Sequence, residues 1–237
     1  MTLRKRIFDV IFASVLMLFL GPVMMIIAAW LMLRQGRPVF FRAERMKSPD
    51  HAFTLFKFRS MVTSAQDCGV TGGEKHTLFT RDGGWLRHSR LDELPQLWNI
   101  LKGDISFVGP RPPMRAYVER FPQVYQAVLK NRPGVTGLAT LVFHRHEERL
   151  LSQTRSEVAS DAVYVSRCLH RKARIDLIYQ SRACLMLDMF LIAGTALKVI
   201  GIYPSSRVWR LTHGWKHDST KPMRLGRENA KWQAEFF

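Results

Sequence analysis

Apolar residues dominate the first forty positions and then break into short runs. From Val10 to Leu33 the chain reads VIFASVLMLFLGPVMMIIAAWLML, 24 residues without a charge, long enough for one helix to cross the hydrocarbon core at about 1.5 Å per residue. Gly21-Pro22 sits at its midpoint, where proline removes a backbone donor and predicts a sharp kink, leaving each half too short to cross by itself. Basic residues flank both ends: Arg4, Lys5 and Arg6 before, and Arg34, Arg37, Arg42, Arg45 and Lys47 after. Positive charge favours the cytoplasmic side, so a re-entrant hairpin that enters and leaves one leaflet satisfies both flanks. A kinked single span remains the alternative. A cleaved signal peptide is disfavoured, because the run is too long and lacks a small-x-small site at its end.

Beyond this segment, PVFF (38–41) and AFTLFKF (52–58) predict short extended pieces joined by a KSPD turn, a small hairpin ending in Lys57 and Arg59. Residues 62–80 are polar, contain glycine and show no period, which predicts a loop that could cover a site. A short helix is expected around Trp85–Arg90. In DELPQLWNIL, Leu94, Leu97, Trp98 and Leu101 recur at helical spacing, with Pro95 in the first turn, so Asp92 and Glu93 fall at a helix N-terminus beside unpaired amides. GDISFVGPRPP (103–113) has an apolar piece ending in a stiff turn that fixes Arg111. MRAYVERF and 123–130 read as helix, RPGVTG (132–137) as a turn, and a longer polar helical region runs through Gln180. Residues 183–202 are strongly apolar but carry Asp188 and Lys198, which favours a packed or interfacial helix over a second span.

Composition narrows the partners. Lys and Arg number 36 against 19 Asp and Glu, a formal charge of +17, so the partner is polyanionic: nucleic acid, an anionic membrane surface or a phosphorylated substrate. No recognition helix or RNA-binding signature is present, which argues against nucleic acid. The tail from Arg207 carries basic residues with Trp209, Trp215 and Trp232 interleaved, a pattern suited to anionic lipid headgroups. Cys68, Cys168 and Cys184 lie far apart with no C-x-x-C spacing, which signals neither a disulfide framework nor zinc. HRHEE (144–148) lacks H-E-x-x-H spacing and reads as a polar loop with incidental histidines rather than a metal site.

The candidate chemistry centres on RLDELPQLWN (90–99). Asp92 and Glu93 stand among Lys57, Arg59, Arg87, Arg90 and Arg111, cations that would be costly to gather without an anion to bind. A carboxylate in that setting can hold Mg²⁺, attack phosphorus, or share both tasks with its neighbour.

KRIFDV (5–10), Gly21-Pro22, RPVFFRAER (37–45), FTLFKFRSM (53–61), SRLDELPQLWNILKGDISFVGPRP (89–112) and RPGVTGLA (132–139), in this order, strongly resemble the bacterial sugar transferases, the monotopic polyprenyl-phosphate phosphoglycosyl transferases. The resemblance continues weakly to about residue 200. It implies a mostly α fold with a small β-hairpin: a monotopic membrane protein with an N-terminal re-entrant helix (1–35), a cytoplasmic domain with interfacial amphipathic helices (36–203) and a basic tail (204–237). It also implies transfer of sugar 1-phosphate from a UDP-sugar to undecaprenyl phosphate with release of UMP, at the cytoplasmic face of the bacterial inner membrane, beginning assembly of a surface or secreted glycan. Carried onto this chain, Asp92 is the nucleophile and Glu93 its assistant, as metal partner or base. Lys57, Arg59, Arg87, Gln96 and Arg111 line the phosphates, and Mg²⁺ at the dyad neutralises the diphosphate. Anionic lipids are expected partners, nucleic acid is not, and a homo-oligomer is left open. Two departures stand out. Lys47-Ser48-Pro49-Asp50 occupies a turn that is often glycine-rich in the family, and TLVFHRHEERLL (140–151) replaces a Gly-Arg-Asn type stretch, a region suited to sugar or nucleotide selectivity. The alternative function is a noncatalytic scaffold of a polysaccharide assembly complex, against which the intact dyad and cations argue.

Overall fold

The computed structural model describes residues 1–61, 80, 82–154, 156–199 and 201. The expected loop at 62–80, apart from Thr80, and the basic tail therefore lie outside the described residues.

The chain is mostly helical. Helix α1 runs Leu3–Gln35, capped by the Thr2 side chain, which accepts from the Lys5 amide, and by Gly36 at φ 67°, whose amide donates to the Met32 carbonyl. Glycine suits this left-handed C-cap because it carries no Cβ. The helix continues through Gly21-Pro22 without a change of secondary structure. Its outward face leaves Val15, Leu18, Phe19, Met25 and Ile26 exposed, whereas Asp9, Ala13, Ile27 and Leu31 are buried. Those four fall into two docking patches. Ala13, with Phe12, Leu16 and Met17, packs on Leu97, Ile100, Ile105 and Phe107, while Ile27 and Leu31 pack with Phe58 and Leu86.

The hairpin is longer than the apolar runs predict: β1 (Phe40–Ser48) pairs antiparallel with β2 (His51–Phe58), closed by Pro49 and Asp50, with a register irregularity between Met46 and Ser48. The stretch RAERMK was not legible as strand because its polar residues outnumber its inward ones, Ala43 and Met46. Helix α2 (Gly83–His88) leads through a 3-10 turn (Leu91–Glu93) to α3 (Gln96–Lys102). Asn99, fully buried on α3, holds that helix against β2: it donates to the Thr54 carbonyl at 2.8 Å and accepts from the Phe56 amide at 3.1 Å. It also donates to Asp104 Oδ2 at 3.2 Å.

RPGVTG is not only a turn. Its residues Gly134–Thr136 form β4, parallel to β3 (Ser106–Val108), with α4 (Arg115–Arg120) and α5 (Pro122–Val128) making the crossover that a parallel pair needs. The two backbones nearly touch. A Cβ on Gly109 would fall 2.2 Å from the Arg132 carbonyl oxygen, and one on Gly134 would fall 2.2 Å from the Gly109 nitrogen. This close approach anchors the turn that carries Arg111.

Helix α6 (Leu138–Ser152) contains HRHEE, so that stretch is helix and not loop. Helix α7 (Glu157–Val163) passes through a π-helical segment, Tyr164–Leu169, into α8 (His170–Arg182), and α9 (Leu185–Val199) follows. Asp188 on α9 is buried, where Lys5 donates to its Oδ2 and Tyr179 to its Oδ1, both at 2.5 Å. The opposite side of α9 exposes Met186, Met189 and Phe190, as a packed helix with an apolar outer face does.

Gly109→Ala should lower unfolding free energy by about 2–4 kcal/mol, since backbone and not a mobile side chain stands in the way. Gly84→Ala, whose Cβ would meet nothing within 4 Å, should change it little. Chemical denaturation of the two variants in detergent distinguishes them, and equal midpoints would contradict the packing described.

Candidate active site

Two consecutive carboxylates on one short turn have different surroundings. Asp92 and Glu93 lie on the 3-10 turn and not at the start of α3 as the sequence predicts; Pro95 occupies the cap position of α3. The amides expected to be unpaired are used within the turns, those of Glu93, Leu94, Leu97 and Trp98 donating three residues back. The anionic character of the site therefore meets side-chain cations and not a helix end. Arg90, immediately before the turn, has φ 58°, the one positive φ outside glycine among the described residues. Such a backbone costs about 1–2 kcal/mol and is retained only where the surroundings fix it.

Glu93, its side chain 10% exposed, is the hub. Its Oε1 accepts from Lys57 Nζ at 3.0 Å and from Arg111 at 3.3 Å, and its Oε2 accepts from Arg90 at 3.3 Å. These three cations come from β2, the corner before the 3-10 turn, and the Gly-Pro-Arg-Pro turn. Burial would raise the pKa of Glu93, but the charges of Lys57, Arg111 and Arg90 outweigh it and hold the group well below the usual carboxylate range. Lys57 responds in the opposite sense: burial pulls it below an ordinary lysine, and Glu93 partly restores it. Arg111 is stabilised as a cation chiefly by Glu93, although its side chain remains 42% exposed and so is open to a ligand.

Asp92 is only 3% exposed, and its Oδ1 has no hydrogen-bond partner. Burial first and the Glu93 charge second raise its pKa above the ordinary aspartate value, opposed by Lys57, Arg87 and Arg90. A raised pKa makes the carboxylate a stronger base and a better nucleophile once ionised. Arg87 donates to Met61 Sδ at 2.9 Å and lies within electrostatic reach of both carboxylates. Four cations around two carboxylates leave positive charge in excess, which suits a diphosphate.

Lys57, Gln96 and Arg111 line one small cavity, with Gln96 buried. Arg59 is not brought there. β2 ends at Phe58, so the strand alternation that would align Arg59 with Lys57 stops, and its guanidinium donates instead to the Gln35 and Gly36 carbonyls at 2.5 and 3.1 Å. Gly21 and Pro22 belong to the exposed middle of α1, remote in sequence from every site residue.

His144 is a site neighbour that sequence reading assigned to an incidental loop. Burial and the nearby Arg90, Lys198, Arg111 and Lys172 push it down to about 3, so it stands neutral at physiological pH. The useful signal was its place one helical turn after Leu141, an inward position of α6. Glu147, one turn short of Leu151, is ion-paired with Lys172 at 2.9 Å.

Removing Glu93 would leave the largely enclosed Lys57 without its carboxylate. Glu93→Gln should therefore cost about 3 kcal/mol of stability, and adding Lys57→Met should restore part of it. A double-mutant cycle by denaturant unfolding checks this, and additive losses would show that the pair is not coupled.

The family model for bacterial sugar transferases matches residues 1–201. The UDP-glucose:undecaprenyl-phosphate glucose-1-phosphate transferase of Xanthomonas campestris pv. campestris is 34% identical over 83% of this chain and 39% of its own length. The UDP-N-acetylgalactosamine-undecaprenyl-phosphate N-acetylgalactosaminephosphotransferase of Aeromonas hydrophila is 32% identical over 68% of this chain and 38% of its own. The exopolysaccharide production protein PSS of Rhizobium leguminosarum bv. phaseoli is 38% identical over 68% of this chain and 84% of its own. This chain thus spans about two-fifths of the first two relatives and most of the third. With the six ordered blocks, the dyad and its cations all inside the matched span, the chain belongs to the bacterial sugar transferase family.

Proposed function

We propose that the protein transfers a sugar 1-phosphate from a UDP-sugar to undecaprenyl phosphate, through a covalent phosphosugar on Asp92. The observation that carries this reading is a buried carboxylate with a partnerless oxygen beside an excess of cations. An Asp92 oxygen attacks the β-phosphorus of the donor, and the bond to the bridging oxygen breaks with its electron pair leaving on UMP. A phosphate oxygen of the lipid acceptor then attacks the same phosphorus, the aspartyl–phosphorus bond breaks, and the carboxylate is regenerated. Lys57, Arg87, Arg90 and Arg111 neutralise the charge that gathers on the transferred and departing phosphates. Glu93 holds three of them in place while the site is without substrate, a positioning role in this reading.

The residues admit a divalent cation in one respect. Asp92 Oδ1 has no partner, whereas both Glu93 oxygens are taken by cations, so Asp92 and the substrate phosphates would hold it. Mg²⁺, when bound, would supply charge neutralisation on the diphosphate.

A one-sided, re-entrant attachment of α1 to the cytoplasmic leaflet of the inner membrane completes the reading. Lys5 and Arg6 at one end of α1 are bonded to Asp188 and to the Ile100 and Leu101 carbonyls, and Arg59 is bonded to the carbonyls at the other end. A helix crossing a hydrocarbon core about 30 Å thick would put these ends on opposite faces, where one folded unit could not hold both. The exposed apolar faces of α1 and α9 would lie in the lipid, with the excess positive charge beside anionic headgroups. Glycan initiation follows as the place of such a product in assembly.

Asp92→Asn should abolish acceptor-dependent UMP release from UDP-sugars, a loss of about 10³-fold or more, with stability near wild type. Retained turnover would refute the nucleophile. For topology, single cysteines at Arg4 and Arg37, both exposed, in a background without native cysteines, should react with an impermeant thiol reagent in inverted vesicles and stay protected in intact cells. Labelling of one site from each side would establish a span.

A further inference from the structure

A second cavity adjoins the one that holds Gln96. It measures about 170 Å³ and lies behind Arg111, between the Gly-Pro-Arg-Pro turn, α5, α6 and α8. It shares Arg45, Arg111 and Pro112 with the smaller cavity that contains Lys57 and Gln96, so Arg111 stands at the boundary between the phosphate-binding cations and this space.

Its wall has a distinct chemistry. Asp176 on α8 lines it, is 9% exposed, and receives no hydrogen bond among the described residues; its nearest opposing charge is Lys172, one helical turn earlier. Lys172 donates to both oxygens of Glu147 on α6, at 2.9 and 3.1 Å, and its ammonium lies 5.2 Å from the Tyr164 ring centroid. A carboxylate without a partner is expensive to bury: desolvation pushes Asp176 up to about 7. The structure keeps it facing a cavity and not a neighbouring side chain, as a group awaiting a hydroxyl donor would be kept.

We propose that this cavity receives the glycosyl group of the donor, with Asp176 and the Glu147–Lys172 pair reading its hydroxyls and Tyr164 bordering its C–H face. This rests on the donor reading above and extends it to a subsite. Two arguments select the glycosyl group over the nucleoside. The sugar is bonded to the phosphorus that Asp92 attacks, so it must lie immediately beside the Glu93–Arg111 contact, whereas the uridine is one phosphate further away. The wall also suits hydroxyls: two carboxylates accept from O–H groups and the ammonium donates to them, while uracil offers the carboxylates one N–H against two carbonyl oxygens that only the ammonium could bond. All four of these residues lie outside the six blocks, Glu147 in HRHEERLL, Tyr164 in the π-helical segment and Lys172 and Asp176 in α8, so they can change without altering the phosphate chemistry.

The test is binding of UDP and of a UDP-sugar panel (glucose, galactose, N-acetylglucosamine, N-acetylgalactosamine) to the full chain in nanodiscs, by calorimetry, for wild type, Asp176→Asn and Glu147→Gln. UDP carries the nucleoside and both phosphates, so it reports the fold of each variant as well as the rest of the site. The expected result is a ten- to hundredfold loss of affinity for the preferred UDP-sugar, on the order of one charged hydrogen bond, with UDP affinity unchanged. Steady-state assays should show the same loss as a raised KM with a smaller change in kcat. Equal weakening of UDP and UDP-sugar in both variants would assign the cavity to the nucleoside and overturn the proposal. No change for either ligand in the two variants would remove the cavity from donor recognition. A wild type that binds UDP but discriminates no UDP-sugar from it would also overturn the subsite while leaving phosphate binding intact. Failure of wild type to bind UDP or any UDP-sugar would overturn the donor reading itself, and the subsite with it.

Discussion

The site depends on one largely enclosed carboxylate surrounded by three cations. Glu93 draws together Lys57, Arg90 and Arg111, groups separated by up to 54 positions in the chain, which would repel one another without it. An isolated ion pair at this depth adds little net stability, because desolvation of the charges offsets their attraction. In the proposed reaction the value of the arrangement lies in geometry: the cations would be fixed before a phosphate arrives, so little reorganisation would be needed. Asp92, next in sequence, keeps an oxygen free of hydrogen bonds because the cations have been committed to its neighbour.

The scaffold serves that constraint from three directions. Asn99 holds α3 to β2 and so sets the dyad's turn against Lys57. The backbone contact of Gly109 with the segment around Gly134 places the Arg111 turn. Arg6 caps the last carbonyls of α3, which ties the apolar helix α1 to the element that follows the dyad. The long apolar helix and the dyad are thus joined through one short helix, and the apolar outer faces of α1 and α9 belong to the same folded unit as the cations.

What could be read from the chain divides along physical lines. The apolar N-terminal helix, the hairpin and the Asp-Glu pair among cations were legible because each is a local signal: an uncharged run, two apolar stretches about a Pro-Asp turn, a charge cluster. The β3–β4 pair was not, since RPGVTG carries turn residues whose pairing arises only when Gly109 comes within contact distance across the crossover. Arg59 was misplaced for a similar reason. It was gathered with Lys57 as a cation at the end of the hairpin, but β2 ends one residue earlier and the side chain bonds to the end of α1. HRHEE looked like a loop because its charges obscure the inward positions on either side, Leu141 and Leu151, that fix it as helix. The dyad's helix start was wrong by one turn, because Pro95 caps α3 and the preceding residues fold into the tighter 3-10 turn instead.

The central claim is that Asp92 becomes covalently bonded to phosphorus. Trypsin releases the dyad on one peptide, Leu91–Lys102, bounded by Arg90 and Lys102. Protein incubated with its donor and no lipid acceptor, quenched in acid and digested, should yield this peptide with an added sugar phosphate, located by fragmentation on Asp92 and discharged by a chase with undecaprenyl phosphate. An unmodified peptide under conditions where UMP is released in stoichiometric amount, or a modification on Glu93, would contradict the account.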